Sequence, residues 1–466
     1  MRAMADEVVG RCIDHIASLD RQPSCGDVDA AALCRSMREP APEQGVALAS
    51  LLDPLFRDWI PRSFTAPGPG YLAFIPGGGV FPAALADFIT NTTNRYTGVW
   101  QAAPALVQLE ANALDWLREW MDFPPQTRGL FTAGGSMATF NAIVCARERH
   151  LGAEIRRGVL YTSDQAHHSI LKSAKLAGVM PDRVRAIESD DRFRLRVDRL
   201  EAAIAADRKA GLTPFAVVSS AGTTNTGAVD PLDEVADVCA REQMWHHIDG
   251  AYGAFFYLCD ELRETLRGLP RADSLTLDPH KGMFLPYGTG ALLVRDGAAL
   301  RAAHEATAAY LPAMPHPSDF YDPSQHGPEL SRGFPGLRVW LSVKMYGSAA
   351  FRDAIAEKRA LTLEAARRVA ALPGIVMDAA PQLSLFAFHL TRPGAASSDA
   401  NRAEEDAATK ALMERTTKRG RVMVTGCTAH GRYLGRVCVL SFRTHQKEID
   451  ALIEDMAAVI DELHHA

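Results

Sequence analysis

Apolar side chains recur with a helical period at the start of the chain. They appear every three or four residues over 5–19 and again over 46–60, which predicts two amphipathic helices. Two stretches rich in glycine and proline, 65–70 and 76–79, then interrupt this pattern. We therefore expect residues 1–80 to form a helical arm that packs on another surface, because an apolar stripe without its own core needs one.

The middle of the chain, residues 81–337, alternates short apolar runs with helical patterns. Four such runs are 158–162, 215–219, 246–249 and 274–277. Continuous apolar strands separated by helices predict a large α/β domain whose mostly parallel sheet is covered on both faces. Residues 290–294 follow too closely for a helical crossover, so we expect them to pair antiparallel with the preceding strand.

The last part, residues 338–466, predicts a smaller C-terminal α+β domain. Strands are expected at 383–390 and 436–442. The helical patterns cover 337–346, 350–372, 401–419 and 447–464.

Composition and charge favour a small-molecule partner. The chain has 466 residues, 47% hydrophobic and 23% charged, which is typical of a globular protein too long for a single core. Its net charge of -6 contains no long block of one sign, so no nucleic-acid or membrane partner is predicted.

The cysteines predict neither disulfides nor a metal site. All eight are scattered, without a Cys-x-x-Cys pair or zinc-like spacing, and are expected to be reduced thiols. The N-terminus lacks the features of a signal peptide, and no run is long enough to span a membrane. We therefore expect a cytoplasmic protein.

Two charged residues at predicted strand ends are candidates for chemistry. Lys281 follows a buried strand and Pro279, where a parallel sheet opens to a ligand. Asp249 ends another strand and precedes small residues, which let a flat ring approach the backbone. Taken singly, Lys281 is also compatible with a solvated strand end, and Asp249 with a helix cap.

Three further stretches contain residues suited to binding an anion or a ring. Gly134 and Gly135 lead into a helix, where free N–H groups and the helix dipole favour a phosphate. His167 lies just beyond a strand, a position that suits stacking on a ring or proton exchange and is also compatible with an ordinary core or surface histidine. Residues 219–227 run from a strand into a polar turn, whose hydroxyls are also compatible with capping that turn.

In this order, the stretches 130–139, 161–172, 219–227, 245–253 and 274–282 resemble the group II pyridoxal-phosphate (PLP)-dependent amino-acid decarboxylases. The resemblance covers nearly the whole chain and is nearest to the aromatic-L-amino-acid decarboxylases. It implies the type I fold of the PLP-dependent transferases, which is aspartate-aminotransferase-like. The implied reaction converts an L-amino acid, with aromatic substrates favoured, to its amine and carbon dioxide through a quinonoid intermediate.

The resemblance also implies roles for individual residues. Lys281 would hold PLP as a Schiff base, and Asp249 would pair with the pyridinium nitrogen. His167 and Ala251 would lie against opposite faces of the ring. The remaining cofactor-binding residues would be Gly135, Ser136, Thr224 and His280.

Two features of the resemblance bear on the outcome of the reaction. The matching family loop carries a tyrosine that returns a proton to the substrate, which nominates Tyr310 and favours an amine product. The side-chain pocket would include Phe74, Ile75 and Trp100.

At one position the sequence departs from the family pattern. Asp278 stands where animal enzymes often have asparagine, and a second anion beside the phosphate would need another partner.

The resemblance further implies a homodimer with active sites at the subunit interface, in which residues 1–80 are the dimerisation segment. The opening helices are also compatible with packing on their own subunit. Two alternative functions stay open. The first is PLP-dependent oxidative decarboxylation and deamination to an aldehyde, against which Tyr310 argues. The second is a catalytically silent regulatory homologue, against which the joint presence of Lys281, Asp249 and His167 argues. A transaminase or another PLP lyase is a weaker alternative.

Overall fold

The structure is a computed structural model that describes residues 1–26, 30–306, 314–315, 319–391 and 401–465. Within these ranges, no helix is both long enough and apolar enough to cross a membrane.

The chain divides into two compact units. The first comprises Met1–Gly78, Leu363–Met377 and Phe388–Ala466, and the second comprises Gly79–Thr362 and Asp378–Ala387. The three-part division expected from the sequence stays a prediction.

Fourteen α-helices are assigned within the described residues. They are α1 Arg2–Ser18, α2 Ala31–Ser36, α3 Leu48–Pro54, α4 Phe81–Thr93, α5 Pro104–Trp120, α6 Gly135–His150, α7 Ser169–Leu176, α8 Val197–Lys209, α9 Leu232–Glu242, α10 Pro279–Gly282, α11 Gly297–His304, α12 Gly336–Ala370, α13 Arg402–Lys418 and α14 Gln446–His464.

Eleven strands are assigned in the same part of the chain. They are β1 Arg128–Thr132, β2 Gly158–Ser163, β3 Val184–Ile187, β4 Thr213–Ser220, β5 Trp245–Asp249, β6 Ser274–Leu277, β7 Gly290–Val294, β8 Ile375–Ala379, β9 Leu385–Leu390, β10 Thr425–Ala429 and β11 Arg432–Cys438.

The large sheet has the order β1-β7-β6-β5-β4-β2-β3. Neighbouring strands from β6 to β3 run parallel, whereas β7 runs antiparallel to both β6 and β1. Pairing of Thr276 with Leu292 confirms the antiparallel neighbour predicted after the lysine motif. Because β7 inserts between β6 and β1, the carboxyl ends of β1 and β6 meet at the same edge of the sheet.

Both faces of this sheet are buried, as predicted. Along β2, Leu160 belongs to an apolar cluster with residues of α6 and α7. Its neighbours Val159 and Tyr161 belong to a different cluster, with residues of α8 and α9. Successive strand residues point to opposite faces, so helices on both sides are needed to cover the apolar run.

Helix α12 joins the two helical patterns expected at 337–346 and 350–372. Gly347 lies between them with φ 77° and ψ 156°, which is outside the helical region. A residue with a Cβ atom adopts such a φ only with strain, so glycine permits the kink here.

The small antiparallel sheet has the order β10-β11-β9-β8. The sequence predicted neither β8 nor β10, and it placed β11 at 436–442, four residues too late. The reason is the turn between β10 and β11, where His430 and Gly431 both have positive φ. Two such residues form a tight hairpin turn, which pairs Ala429 with Arg432 and fixes where β11 begins.

Candidate active site

A cavity of about 270 Å³ lies where five strands of the large sheet end. The chain leaves β1, β2, β4, β5 and β6 at this edge, where ligands bind in open α/β sheets. Its lining residues are Ala133, Gly134, Gly135, Ser136, Met137, His167, Ser169, Ser220, Gly222, Thr223, Thr224, Asp249, Ala251, Tyr252, Asp278, His280 and Lys281. The stretches singled out in the sequence therefore meet in one place.

Lys281 lies in the short helix α10, directly after β6. Pro279 occupies the first position of that helix, where its missing N–H leaves no bond unmade. The Nζ atom of Lys281 lies 3.0 Å from Oδ2 of Asp278. The Asp278 side chain is 3% exposed, and its Oδ1 has no hydrogen-bond partner among the described residues. The lysine amine is thus held beside a buried carboxylate at the cavity wall.

Asp249 is the last residue of β5, and its Oδ1 accepts the Ala251 N–H at 3.2 Å. Behind it, the buried His247 ring has Nδ1 2.9 Å from Ser274 Oγ and Nε2 3.2 Å from Thr276 Oγ1. Burial lowers the pKa of His247 to about 4, so this ring is neutral at pH 7. Asp249 therefore lines the cavity in front of an uncharged, hydrogen-bonded ring.

The His167 ring belongs to the turn after β2. Its Nδ1 lies 2.7 Å from Ser169 Oγ and accepts the Ser169 N–H at 3.3 Å. Burial is the largest influence on the pKa of His167 and lowers it below the usual value. Its neighbour His168 lies against it, with ring centroids 4.2 Å apart, but does not line the cavity.

The first turn of α6 forms the part of the cavity wall best suited to an anion. Gly134 has φ 147°, and the first N–H groups of a helix have no partner inside it. A Cβ atom on Gly135 would lie 3.0 Å from Asp278 Oδ2 and 3.1 Å from the Ala251 Cβ. Glycine thus leaves the backbone open to a ligand where a side chain would fill the space.

His280 is held in one orientation by the turn after α10. Its Nδ1 lies 2.9 Å from the Thr289 carbonyl oxygen and donates to it, which leaves Nε2 without a proton in the neutral ring. Nε2 lies 3.6 Å from Asp278 Oδ2. Burial lowers the pKa of His280. Arg338 stabilises the same turn by donating to the Gly288 carbonyl at 3.0 Å and to Thr289 Oγ1 at 2.8 Å.

Of the remaining predicted residues, some line the cavity and others do not. Thr224 and Ala251 line the cavity, whereas Trp100 does not and instead stacks on Phe320 with ring centroids 4.8 Å apart. Phe74 and Ile75 belong to the other compact unit, and Tyr310 lies outside the described residues. The substrate pocket and the tyrosine therefore stay predictions.

Seven lining residues lie within the stretches singled out from the sequence but were not named individually: Ala133, Met137, Ser169, Ser220, Gly222, Thr223 and Tyr252. Tyr252 has a clear structural role, because its hydroxyl accepts the Ser384 N–H at 2.8 Å and lies 2.9 Å from Ser384 Oγ. Tyr252 lies only three residues after Asp249, and this short distance along the chain was the sequence signal that it also lines the cavity.

Comparison with known proteins identifies the family. A family model described as the pyridoxal-dependent decarboxylase conserved domain matches residues 36–391. The chain is 34% identical to an aromatic-L-amino-acid decarboxylase of Bacillus atrophaeus, covering 99% of this chain and 96% of that protein. It is 29% identical to tryptophan decarboxylase 1 of Oryza sativa, covering 94% and 89%.

Solved structures agree with this result. The Oryza sativa protein TDC, solved with PLP and tryptamine, has a TM-score of 0.93 at 28% identity and covers 99% of this chain and 98% of its own. Rhodiola rosea 4-hydroxyphenylacetaldehyde synthase has a TM-score of 0.90 at 23% identity, covering 99% and 98%. The predicted PLP-dependent transferase fold is confirmed. The chain belongs to the pyridoxal-dependent decarboxylase family and is a PLP-dependent carboxy-lyase.

Proposed function

We propose that this enzyme converts an aromatic L-amino acid to its amine and carbon dioxide, with PLP bound covalently through Nζ of Lys281. The meeting of Lys281, Asp249 and His167 in one cavity carries this proposal. The substrate class is supported by relatives named aromatic-L-amino-acid decarboxylase and tryptophan decarboxylase.

The residues around the cavity fit PLP. The turn at Gly135, which a Cβ atom would fill, and the N-terminus of α6 suit a phosphate group, with Ser136 and His280 beside it. Asp249 suits a protonated ring nitrogen, and Lys281 is the amine that an aldehyde requires. When bound, PLP accepts the electron pair that remains at Cα after carbon dioxide leaves.

The chain's own residues would orient the reacting groups. Asp249 would keep the ring nitrogen protonated, because a carboxylate beside it favours the charged form. His167 would lie on one face and Ala251 on the other, and together they would hold the ring in place. Thr224 would lie close to the cofactor or the substrate carboxylate.

The proton that Cα needs would come from Tyr310, with His167 nearby. A general acid must come within hydrogen-bond reach of the atom it protonates. Closing the Tyr310 loop over the cavity would bring the hydroxyl there and exclude water. Phe74, Ile75 and Trp100 are proposed to contact the substrate side chain.

A homodimer acting in the cytoplasm is also proposed. Helix α1 buries none of its 17 residues within the chain, although Val9 and Ile13 are apolar and exposed. A second copy packing on this helix would cover them. The eight cysteines are scattered along the sequence without a Cys-x-x-Cys pair, which is typical of proteins in a reducing compartment.

The test is a panel of aromatic amino acids, glutamate and histidine, assayed for carbon dioxide, amine and oxygen uptake. We expect amine and carbon dioxide in equal amounts from aromatic substrates. Peroxide and aldehyde without amine would favour oxidative deamination, and the absence of any product would favour a silent homologue.

A second test addresses the lysine. Borohydride treatment of the wild-type holoenzyme should fix the cofactor to the peptide that contains Lys281. The Lys281→Ala variant should lose both this product and at least about a hundredfold in activity. Lys209→Ala, an exposed lysine on α8, is the matched control and should behave as wild type. Cofactor fixed to another lysine in wild type would refute the assignment.

A further inference from the structure

Arg338 lies in the first turn of α12 and joins two elements behind the cavity wall, although its own side chain does not line the cavity. Its Nε donates to Asp87 Oδ1 of α4 at 2.6 Å. Its Nη1 donates to the Gly288 carbonyl at 3.0 Å and to Thr289 Oγ1 at 2.8 Å. A planar guanidinium holds several acceptors in one fixed geometry. Arg338 therefore fixes residues 286–289, called the Thr289 turn below, relative to α4.

The Thr289 turn in turn holds His280. Within the turn, Gly288 has φ 85° and Thr289 Oγ1 donates to the Pro286 carbonyl at 3.2 Å. The Thr289 carbonyl accepts two hydrogen bonds from His280, one from the backbone N–H at 3.2 Å and one from Nδ1 at 2.9 Å. The position of this one carbonyl therefore sets both the backbone and the ring plane of His280.

This arrangement directs the His280 ring toward the glycine turn before α6. The Cε1 atom of the ring lies 3.6 Å from the position of a Cβ atom on Gly134, and both residues line the cavity. Because Nδ1 is committed to the Thr289 carbonyl, Nε2 is the ring nitrogen left to bind a ligand at the glycine turn.

The proposed function places the cofactor phosphate at the same glycine turn. A phosphate monoester and a histidine ring lose a proton at similar pH, about 6 and about 6.5. A hydrogen bond between them therefore uses a single proton, carried either by a phosphate oxygen or by Nε2. In both cases the strength of the bond depends on the direction in which Nε2 points.

We propose that Arg338 is a positioning residue, which directs Nε2 of His280 at the cofactor phosphate through the Thr289 carbonyl. Arg338 acts by holding the Thr289 turn against α4, with Asp87 as its anchor. The inference rests on the phosphate position given under the proposed function. It gives the ion pair between Arg338 and Asp87 a role in cofactor affinity in addition to any role in stability.

The test compares PLP with pyridoxal, which lacks the phosphate. Dissociation constants for cofactor-free protein are measured from the change in ligand absorbance. Arg338→Met should weaken PLP binding at least about tenfold but pyridoxal binding less than about twofold, because only the phosphate bond depends on His280. Arg241→Met on α9, which breaks an exposed pair with Glu201, is the matched control and should match wild type. Equal losses for both ligands would indicate general loosening and overturn the proposal.

A double-mutant cycle with His280→Leu separates positioning from other effects of the arginine. If Arg338 acts through His280, Arg338→Met should weaken PLP binding less than about twofold once His280 has been replaced. Direct attraction between the guanidinium and the phosphate, or a shift of the glycine turn, would persist in the His280→Leu protein. Additive losses across the cycle would therefore overturn the proposal.

Thr289→Val is a second variant, which retains the charge of Arg338. Thr289 is fully buried, and valine has nearly the same shape but lacks the Oγ1 acceptor. PLP binding should weaken at least about threefold, with a smaller change for pyridoxal, because one of the two bonds from Arg338 to the turn is lost. Unchanged PLP binding in a folded Thr289→Val protein would contradict the proposal, even if Arg338→Met does not fold.

A measurement without cofactor distinguishes this inference from the proposed function. Nitrogen-15 NMR of histidine-labelled protein reports which ring nitrogen of His280 carries the proton, with the signal assigned by its loss in His280→Leu. Wild type should show the proton on Nδ1, and Arg338→Met should shift the signal toward a mixture of both tautomers. An unchanged signal would overturn the positioning role. Equal affinity of wild type for PLP and pyridoxal would instead refute the phosphate site on which the inference rests.

Discussion

The Nδ1 atom of His167 accepts a hydrogen bond from the backbone N–H of Ser169, two residues further along the chain. A backbone N–H only donates, so the neutral ring carries its proton on Nε2. The bond also fixes the ring plane, because Ser169 is the first residue of α7. His167 thus meets the cavity in one tautomer and one orientation.

The first prediction concerns pH. Because burial lowers the pKa of His167, its neutral form persists as the pH falls below the usual histidine value of about 6.5. If catalysis needs the neutral ring, the acid limb of kcat/KM should lie below about 6.5. An acid limb at 6.5 or above that disappears in His167→Gln would contradict this.

The Asp249→Asn variant removes the negative charge of Asp249 and should leave the turn after β5 unchanged. Asparagine keeps an oxygen that accepts the Ala251 N–H, so the turn after β5 should be preserved. Loss of the charge should reduce kcat by about 10²–10³-fold, because the ring nitrogen loses its fixed counter-charge. Asp260→Asn, a remote change at a fully exposed side chain, is the control. Near wild-type kcat in Asp249→Asn would exclude the proposed role.

Gly135→Ala tests the phosphate position. The added methyl group would lie 3.0 Å from Asp278 Oδ2 and 3.1 Å from the Ala251 Cβ, in the space proposed for the cofactor. We expect PLP affinity to fall at least about tenfold, which corresponds to about 1.4 kcal/mol. Gly10→Ala on α1, where no atom lies within 4 Å, is the matched control and should leave affinity unchanged. Unchanged affinity in Gly135→Ala would place the phosphate elsewhere.

Tyr252→Phe should destabilise the cavity wall. The hydroxyl has two contacts with buried Ser384, and its loss leaves a backbone N–H unpaired. The free energy of unfolding should fall by about 1–3 kcal/mol. Tyr346→Phe, at a half-exposed ring, should change it by less than about 0.5 kcal/mol. Denaturant unfolding of both variants measures the difference, and equal values would show that the Ser384 contacts contribute little.

Glu110→Gln tests a buried ion pair in the second compact unit, which also contains the cavity. Glu110 pairs with Arg332, and their side chains are 1% and 9% exposed. Removing one partner leaves the other charge buried, which should cost about 3–5 kcal/mol in the free energy of unfolding. Glu201→Gln breaks the exposed pair with Arg241 and should cost about 1 kcal/mol or less. Similar losses in both variants would be inconsistent with a buried pair.

The sequence predicted the large sheet better than the small one, for physical reasons. Strands such as β4 are long, apolar and buried on both faces, so their pattern is unambiguous. Strand β10 reads Thr-Gly-Cys-Thr-Ala, which has no clear period, and only its pairing with β11 makes it a strand. Its existence depends on tertiary contacts that no local pattern records.

The same distinction applies to the candidate site. Lys281, Asp249 and His167 were predicted because each ends or closely follows a strand, and strand ends in parallel sheets lie along one edge. The contact between Asp278 and Lys281 follows from the turn of α10 and was not predicted. Nor was Ser169, because its contact with His167 depends on side-chain geometry.

The position of β1 in the sheet has a consequence for how the protein is made. Thr132 pairs with Gly290, more than 150 residues later in the chain, and α6 follows directly from β1. Because β7 lies between β1 and β6, a chain emerging from the ribosome cannot bring the Gly135 turn close to Lys281 until β7 has been synthesised. Contacts so distant in sequence form slowly, since a long loop must close first. Cofactor capture should be a late event in biogenesis, and nascent chains that stop before β7 should not retain PLP.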